Sequence, residues 1–244
     1  MDRMLYTAAT GAARIMEAQS IRANNLANAD TTGFKADLER VNAQVITPTG
    51  NSLRTRVLAQ TEDAGFNKQA GALNPTGRKL DLAIRDHGMF TVMTDAGEAY
   101  TRSGAIVPDA TGQLTVDGRV VQGLNGPIVL PEYRDLFVGD DGRISILGSE
   151  GGIIEQIAQL KMVNPELDTM KKGQDGLFYS RDGNPLKADG SVLVDSGFLE
   201  ASNVQAVSEL IASMDLTRQF EIQVKLMKSA EKLAEAGNRL IRNA

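Results

Sequence analysis

Apolar positions at the two ends of the chain follow a helical period. Leu5, Ala8, Ala12, Ile15, Gln19, Ala23 and Leu26 recur three and four residues apart, which places them on one face of a helix over the first 28 or so residues. Alanine dominates that face, so a second helix can approach it closely. At the other end Val204, Val207, Ile211, Met214, Arg218, Ile222, Leu226, Ser229, Leu233, Ala236 and Leu240 keep the same spacing. The consecutive fours from Met214 to Leu226 form a stutter that relaxes a left-handed supercoil locally. Ser202 with Gln205 fits a capping box, so the pattern predicts a helix over 202–244, roughly 60 Å long at ~1.5 Å per residue. Glu221 with Lys225, and Glu235 with Arg239, add ion pairs one turn apart in the favourable order.

Between the ends the period drops to two. Short apolar or alternating runs, "LDLAI" (80–84), "FTVMT" (90–94), "LTV" (114–116), "RVVQG" (119–123), "RISIL" (143–147) and "SVLVD" (191–195), read as strands. Asp117-Gly118, Asn125-Gly126, Asp141-Gly142, Asp175-Gly176, Asp182-Gly183 and Asp189-Gly190 punctuate them as tight turns of an antiparallel, hairpin-built domain. Residues 36–79, with "TPTGN" and "NPTGR", are less regular and are expected to form an extended connector with a strand or two. The expected order is therefore helix (1–35), connector (36–79), β domain (80–201) and helix (202–244), an α+β chain.

The helical seams need cover. About ten medium-sized side chains are worth ~10–20 kcal/mol when buried, which is too much to leave in water. Either the ends pair with each other, or they pair with other copies, or both. The stretch "ANNLANADTTGFK" adds a second signal. Asn24, Asn25 and Asn28 are mediocre helix formers, because a short amide competes for nearby backbone groups. Asn24 and Asn28 lie one turn apart, and amides in such a row can fix the register between neighbouring helices. Gly33 is expected to close the helix as a left-handed cap.

Composition removes several functions. The net charge of −5 comes from interspersed acids and bases with no basic stripe, which excludes nucleic acid as a partner. Aromatic residues are 5% and Trp is absent, thin for a sugar or base-stacking surface. No apolar run approaches the ~20 residues of a membrane span. The N-terminus lacks the apolar core and cleavage site of a secretory signal. The absence of Cys removes disulfides, thiolate catalysis and zinc–thiolate sites. His87 is the only histidine and has no partner motif for a triad or a metal. "VGDDGR" (138–143) lacks the full spacing of a calcium loop and reads as a hairpin turn. No catalytic, cofactor-binding or metal-binding constellation is expected.

Several motifs then converge. "MDRMLYTAATGA" with "QSIRANNLANADTTGFKAD" resembles the N-terminal signature of the bacterial flagellar basal-body rod family. "GFLEASNVQAVSELIASM" followed by "TRQFEIQVKLMKSAEKL" resembles its C-terminal signature, and "LDLAIRDHGMFTV", "YTRSGAIVPDATGQLTV" and "NPELDTMKKGQDGLF" resemble its central β module. The opening residues and the length resemble the proximal rod members most, and the distal members next. The resemblance implies a non-enzymatic structural subunit. Its terminal helices pair as a coiled coil lining a hollow helical shaft, which crosses the periplasm and transmits torque.

It also implies partners: other copies, the sibling rod proteins FlgB, FlgC and FlgG, and the flagellar type III export apparatus, through which the chain leaves without a cleaved signal. The subunit-contact residues it implies are Leu5, Ala8, Ala12, Ile15, Gln19, Asn24, Asn25, Leu26, Asn28, Gly33 and Phe34, with Val204, Val207, Ile211, Met214, Ile222, Leu226, Leu233 and Leu240. One departure is visible: where the family usually has G-x-G-[FY]-F, this chain has "RDHGMF", with Asp86 for the first glycine and Met89 for an aromatic. Outside the family, a secreted coiled-coil adhesin or a hydrolase on a β scaffold would share the gross pattern without the paired end signatures.

Overall fold

A computed structural model describes residues 2–45, 57–148 and 151–242. They fall into two compact units. One draws on segments 1–29, 37–65 and 204–244; the other on 30–36 and 66–203.

The first unit is a helix pair with a two-stranded sheet. Helix α1 spans Asp2–Ala27 and helix α2 spans Ala206–Arg242. They pack antiparallel, since Arg22 meets Glu209 at 3.2 Å, Gln19 donates to Thr217 Oγ1 at 3.5 Å, and Gly11 lies against Gln223. On α1 the buried residues are Ala8, Ala12, Ile15, Ala18 and Asn25, so Ala8, Ala12 and Ile15 of the predicted seam lie on the packed face while Ala23 is exposed. The strands Asp37–Val45 and Val57–Phe66 pair with each other.

Both helix ends differ from the sequence reading. The C-terminal helix begins at Ala206 rather than Ser202. The Gln205 carbonyl accepts from Glu209 N at 3.0 Å, and Ser208 Oγ donates to Gln205 Oε1 at 3.2 Å, so Gln205 holds the cap position. Helix α1 stops at Ala27, where Asn28 N donates to the Asn24 and Asn25 carbonyls, both at 3.1 Å. Gly33 has a left-handed φ of +68° but lies well past that end, so it is not the cap.

The second unit is antiparallel β structure. Among the described residues its main sheet runs in the order Met170–Lys172, Phe178–Ser180, Gly97–Thr101, Met89–Thr94, Arg119–Gly123, Leu114–Val116 and Val107–Pro108. Gly126–Pro127 joins Arg119–Gly123, and Met162–Val163 joins Met89–Thr94. A three-stranded sheet is made of Tyr133–Val138, Arg143–Gly148 and Ile154–Gln159. Two short pairs complete it, Leu82–Ile84 with Val194–Ser196, and Leu73–Pro75 with Phe198–Glu200. The stretch expected as one connector is therefore divided: 37–45 and 57–65 belong with the helices and 66–79 with the β unit, while "TPTGN" lies outside the described residues.

Four of the six turn dipeptides join hydrogen-bonded neighbours. Asp117-Gly118 is the tightest, with both residues at positive φ (50° and 78°), as a two-residue hairpin requires. The main core gathers Phe90, Val92, Leu114 and Val121 from the large sheet, Leu136, Ile144 and Ile146 from the three-stranded one, and Leu82, Ile84 and Val194. A second cluster holds Phe66, Met89, Tyr100, Met170 and Phe178, with the Phe66 and Phe178 rings 4.6 Å apart. Met89, where the family usually has an aromatic, thus fills core volume beside aromatic rings.

Candidate assembly interface

Helix α2 carries two apolar stripes. Its inward stripe contains Glu209, Leu216, Phe220, Gln223, Met227 and Ala230, all buried or half-buried. Its outward stripe is Val207, Ile211, Met214, Ile222, Leu226 and Leu233, each between 40% and 70% exposed. The outward set is the one the heptad reading selected. That stripe therefore stays uncovered when α1 and α2 pair, whereas the selected face of α1 is covered. The Leu240 side chain lies outside the described residues. Leu210, at 48% exposed, widens the outward stripe.

The remaining predicted residues separate by role. Leu5, Gln19 and Leu26 are half-buried on α1, and Val204 is half-buried just before α2. Asn24 is exposed. Asn25 is fully buried and holds Asp37 by both backbone groups: Asp37 N donates to Asn25 Oδ1 at 2.8 Å, and Asn25 Nδ2 donates to Asp37 O at 3.1 Å. Asn28 Nδ2 donates to the Asn24 carbonyl at 2.9 Å. The three amides thus do not form one row. One binds a strand, one ties the helix end, and only Asn24 faces out.

Gly33 and Phe34 belong to the β unit. Gly33 N donates to the Glu200 carbonyl at 2.7 Å, and a Cβ there would stand 2.3 Å from Ser103 N. Close approach and positive φ together demand glycine. Phe34 is buried with Lys172 Nζ 3.6 Å above its ring.

Around these residues lies a polar junction that sequence reasoning missed. Glu200, 1% exposed, accepts from Lys35 Nζ at 2.6 Å, from Arg102 Nε at 2.7 Å and from Gly71 N at 2.9 Å. Arg102 also donates to the Gly88 and Ile84 carbonyls at 2.9 and 3.2 Å. Lys35 Nζ donates to the Gln69 carbonyl at 2.7 Å. Asn203 completes the junction, with Oδ1 accepting from Ala36 N at 2.8 Å and Nδ2 donating to the Gln69 carbonyl at 2.8 Å. Burial pushes the Lys35 amine below its ordinary pKa, against the opposing pull of Glu200. "GFK" lies near the end of the first end motif and "GFLEASN" opens the second; they supply Lys35, Glu200 and Asn203, while Arg102, Gly71 and Gln69 come from the chain between them.

The junction joins backbone and contains no reacting group. Among the described residues, no cluster of three or more His, Asp or Glu side chains is placed to hold a metal ion, and no helix is long and apolar enough to cross a membrane. His87 is exposed in a loop and takes part in none of these contacts.

Comparison with known proteins gives three family matches in order along the chain. Residues 5–35 match the flagella basal body rod protein family, 83–146 the flagellar hook protein FlgE/F/G D1 domain, and 195–240 the flagellar basal body rod FlgEFG protein C-terminal family. The flagellar basal-body rod protein FlgF of Escherichia coli (strain K12) is 37% identical over 250 residues, covering 99% of each chain. FlgF of Salmonella typhimurium is 36% identical with the same coverage. The rod protein FlgG of Bacillus subtilis (strain 168) is 30% identical, covering 96% of this chain and 97% of its own.

Proposed function

Because the chain belongs to the flagellar basal-body rod protein family, we propose that the outward stripe of α2 is the surface through which its copies and sibling subunits stack into the rod. The protein is a FlgF-like structural subunit of the basal body, in a non-enzymatic family that assembles with other rod subunits. Our finer reading places it in the proximal rod, a hollow helical shaft in the periplasm that transmits torque and passes exported subunits. FlgB, FlgC and FlgG are its neighbours in this reading. The type III export apparatus delivers it to the growing shaft in this reading.

One observation carries the proposal. Six large apolar side chains stay exposed along one face of α2 while α1 covers another. Burying them is worth on the order of 10 kcal/mol, ample for a subunit contact after the cost of association. Leu5, Ala8, Ala12 and Ile15 support that contact from behind, by fixing α2 against α1. Asn24, facing out, adds a polar register contact between neighbouring helices.

The test is the double variant Ile211→Asp with Ile222→Asp. Both positions are exposed, so the purified chain keeps its β-unit fold and its circular dichroism. Cells carrying it as their sole copy should be non-motile, with basal bodies that end before the hook. Normal basal bodies and swimming in that strain would refute the assignment.

A further inference from the structure

A cavity of about 410 Å³ opens on the β unit, where Phe66, Ala70, Met89 and Pro165 give it apolar walls. Three cations, Lys35, Lys68 and Arg102, and one carboxylate, Asp86, also line it, so its charge is positive on balance. Lys68 is half-exposed and pairs with Asp168, whose side chain is 89% exposed. Such a surface pair is worth little, so Lys68 can exchange its partner at small cost.

Elsewhere on the same unit lies an exposed apolar feature followed by an acid, Glu155, of opposite charge to the cavity's cations. Ile153 is 91% exposed and Ile154 57%. They begin the strand Ile154–Gln159, an edge strand of the three-stranded sheet. Glu155, also exposed, follows directly. Two adjacent isoleucines at the end of an edge strand are an aggregation liability unless something covers them.

We propose that the Ile153–Ile154 end of one copy seats in the Phe66–Met89 cavity of the next copy, with Glu155 turning toward Lys68. This rests on the rod reading and specifies one of its contacts. The two surfaces differ, so the contact is head-to-tail. Repetition gives an open helical array unless the rotation closes a ring. A small molecule in the cavity, or a contact between two Ile153 ends, is the competing outcome.

The chain has no cysteine, which makes a clean test possible. Ile153→Cys and Ala70→Cys would be produced together, as separate chains, in flagellated cells lacking the native copy. Basal bodies would then be run on a non-reducing gel. A disulfide needs the two Cα atoms within about 7 Å, so a band at twice the chain mass should appear only when both variants are present. Basal bodies that contain both chains without that band overturn the contact and leave the rod reading standing. A dimer from Ile153→Cys alone overturns it in favour of a symmetric contact. An unmodified chain absent from basal bodies overturns the rod reading itself. As a second measurement, Ile153→Ser with Ile154→Ser should lower the chain retained in basal bodies several-fold. Unchanged retention rejects the proposal.

Discussion

The side chain of Asn25 holds Asp37 as a paired strand would, accepting from its N–H at 2.8 Å and donating to its carbonyl at 3.1 Å. The helix and the first strand of its unit are thereby joined across the turn that separates them. Asn25→Ala removes both bonds from a fully buried amide to a partly buried residue, a cost of about 1–3 kcal/mol. Amide exchange at Asp37 should accelerate by roughly 5- to 150-fold in that variant. Asn24→Ala should leave it unchanged, because the Asn24 side chain is exposed. Equal effects from the two substitutions would contradict the division of roles among the amides.

Glu200 is the shared acceptor for two buried cations, so its removal strands both. Glu200→Gln keeps the shape and the bond from Gly71 but leaves the charges of Lys35 and Arg102 uncompensated. Breaking a buried pair in this way costs about 3–5 kcal/mol. The chain lacks Trp, and Tyr100 is buried, so urea unfolding is best followed by tyrosine fluorescence. The midpoint should fall markedly for Glu200→Gln and little for Lys68→Gln, whose pair with Asp168 is exposed. A midpoint unchanged by Glu200→Gln would show that the junction adds no stability.

These residues also mark how far sequence reasoning reached. Strands such as 114–116 and 119–123 were legible to the residue, because an Asp-Gly turn at positive φ leaves few ways to connect them. The packed face of α1 was legible too, since Ala8, Ala12 and Ile15 belong to its one strong stripe. Helix α2 was ambiguous. Val207, Ile211 and Met214 share the three-four spacing with Leu216, Phe220, Gln223 and Met227, and spacing cannot say which stripe meets the partner helix. The choice is made by fit: Gly11 admits Gln223, and Arg22 draws Glu209 inward. The Glu200 junction was hidden for another reason. Its parts are separated by 165 residues in the case of Lys35 and 98 in the case of Arg102, and no local pattern links them.

Asp86 stands at φ +57°, in the left-handed region where glycine carries no Cβ penalty. This accounts for the glycine that the family usually has at that place. Asp tolerates the conformation better than most residues, so Asp86→Gly should gain less than about 1 kcal/mol, and Asp86→Val should lose about 1–2 kcal/mol. Thermal melting should therefore order the three chains Gly above Asp above Val. A valine variant as stable as the parent would mean that the loop relaxes to a different backbone.

The helix pair is the part of the molecule whose stability depends most on assembly. On α1 the buried face comprises three alanines and Ile15, so pairing removes little apolar area from water. On α2 the larger side chains of the outward stripe stay exposed, and the proposed contact with another subunit would bury them. Conformational entropy of about 1–2 kcal/mol per residue opposes ordering of both helices, and helices gain most of their stability from tertiary packing. In the isolated monomer, amides of α1 and α2 should then exchange within seconds to minutes. The strands Met89–Thr94 and Arg119–Gly123, with Phe90, Val92 and Val121 in the main core, should stay protected for hours. Incorporation into rods should protect 207–233 by several orders of magnitude. If a verified monomer already protects both helices as strongly as those strands, the helix pair is self-sufficient and the outward stripe of α2 is not needed to hold it.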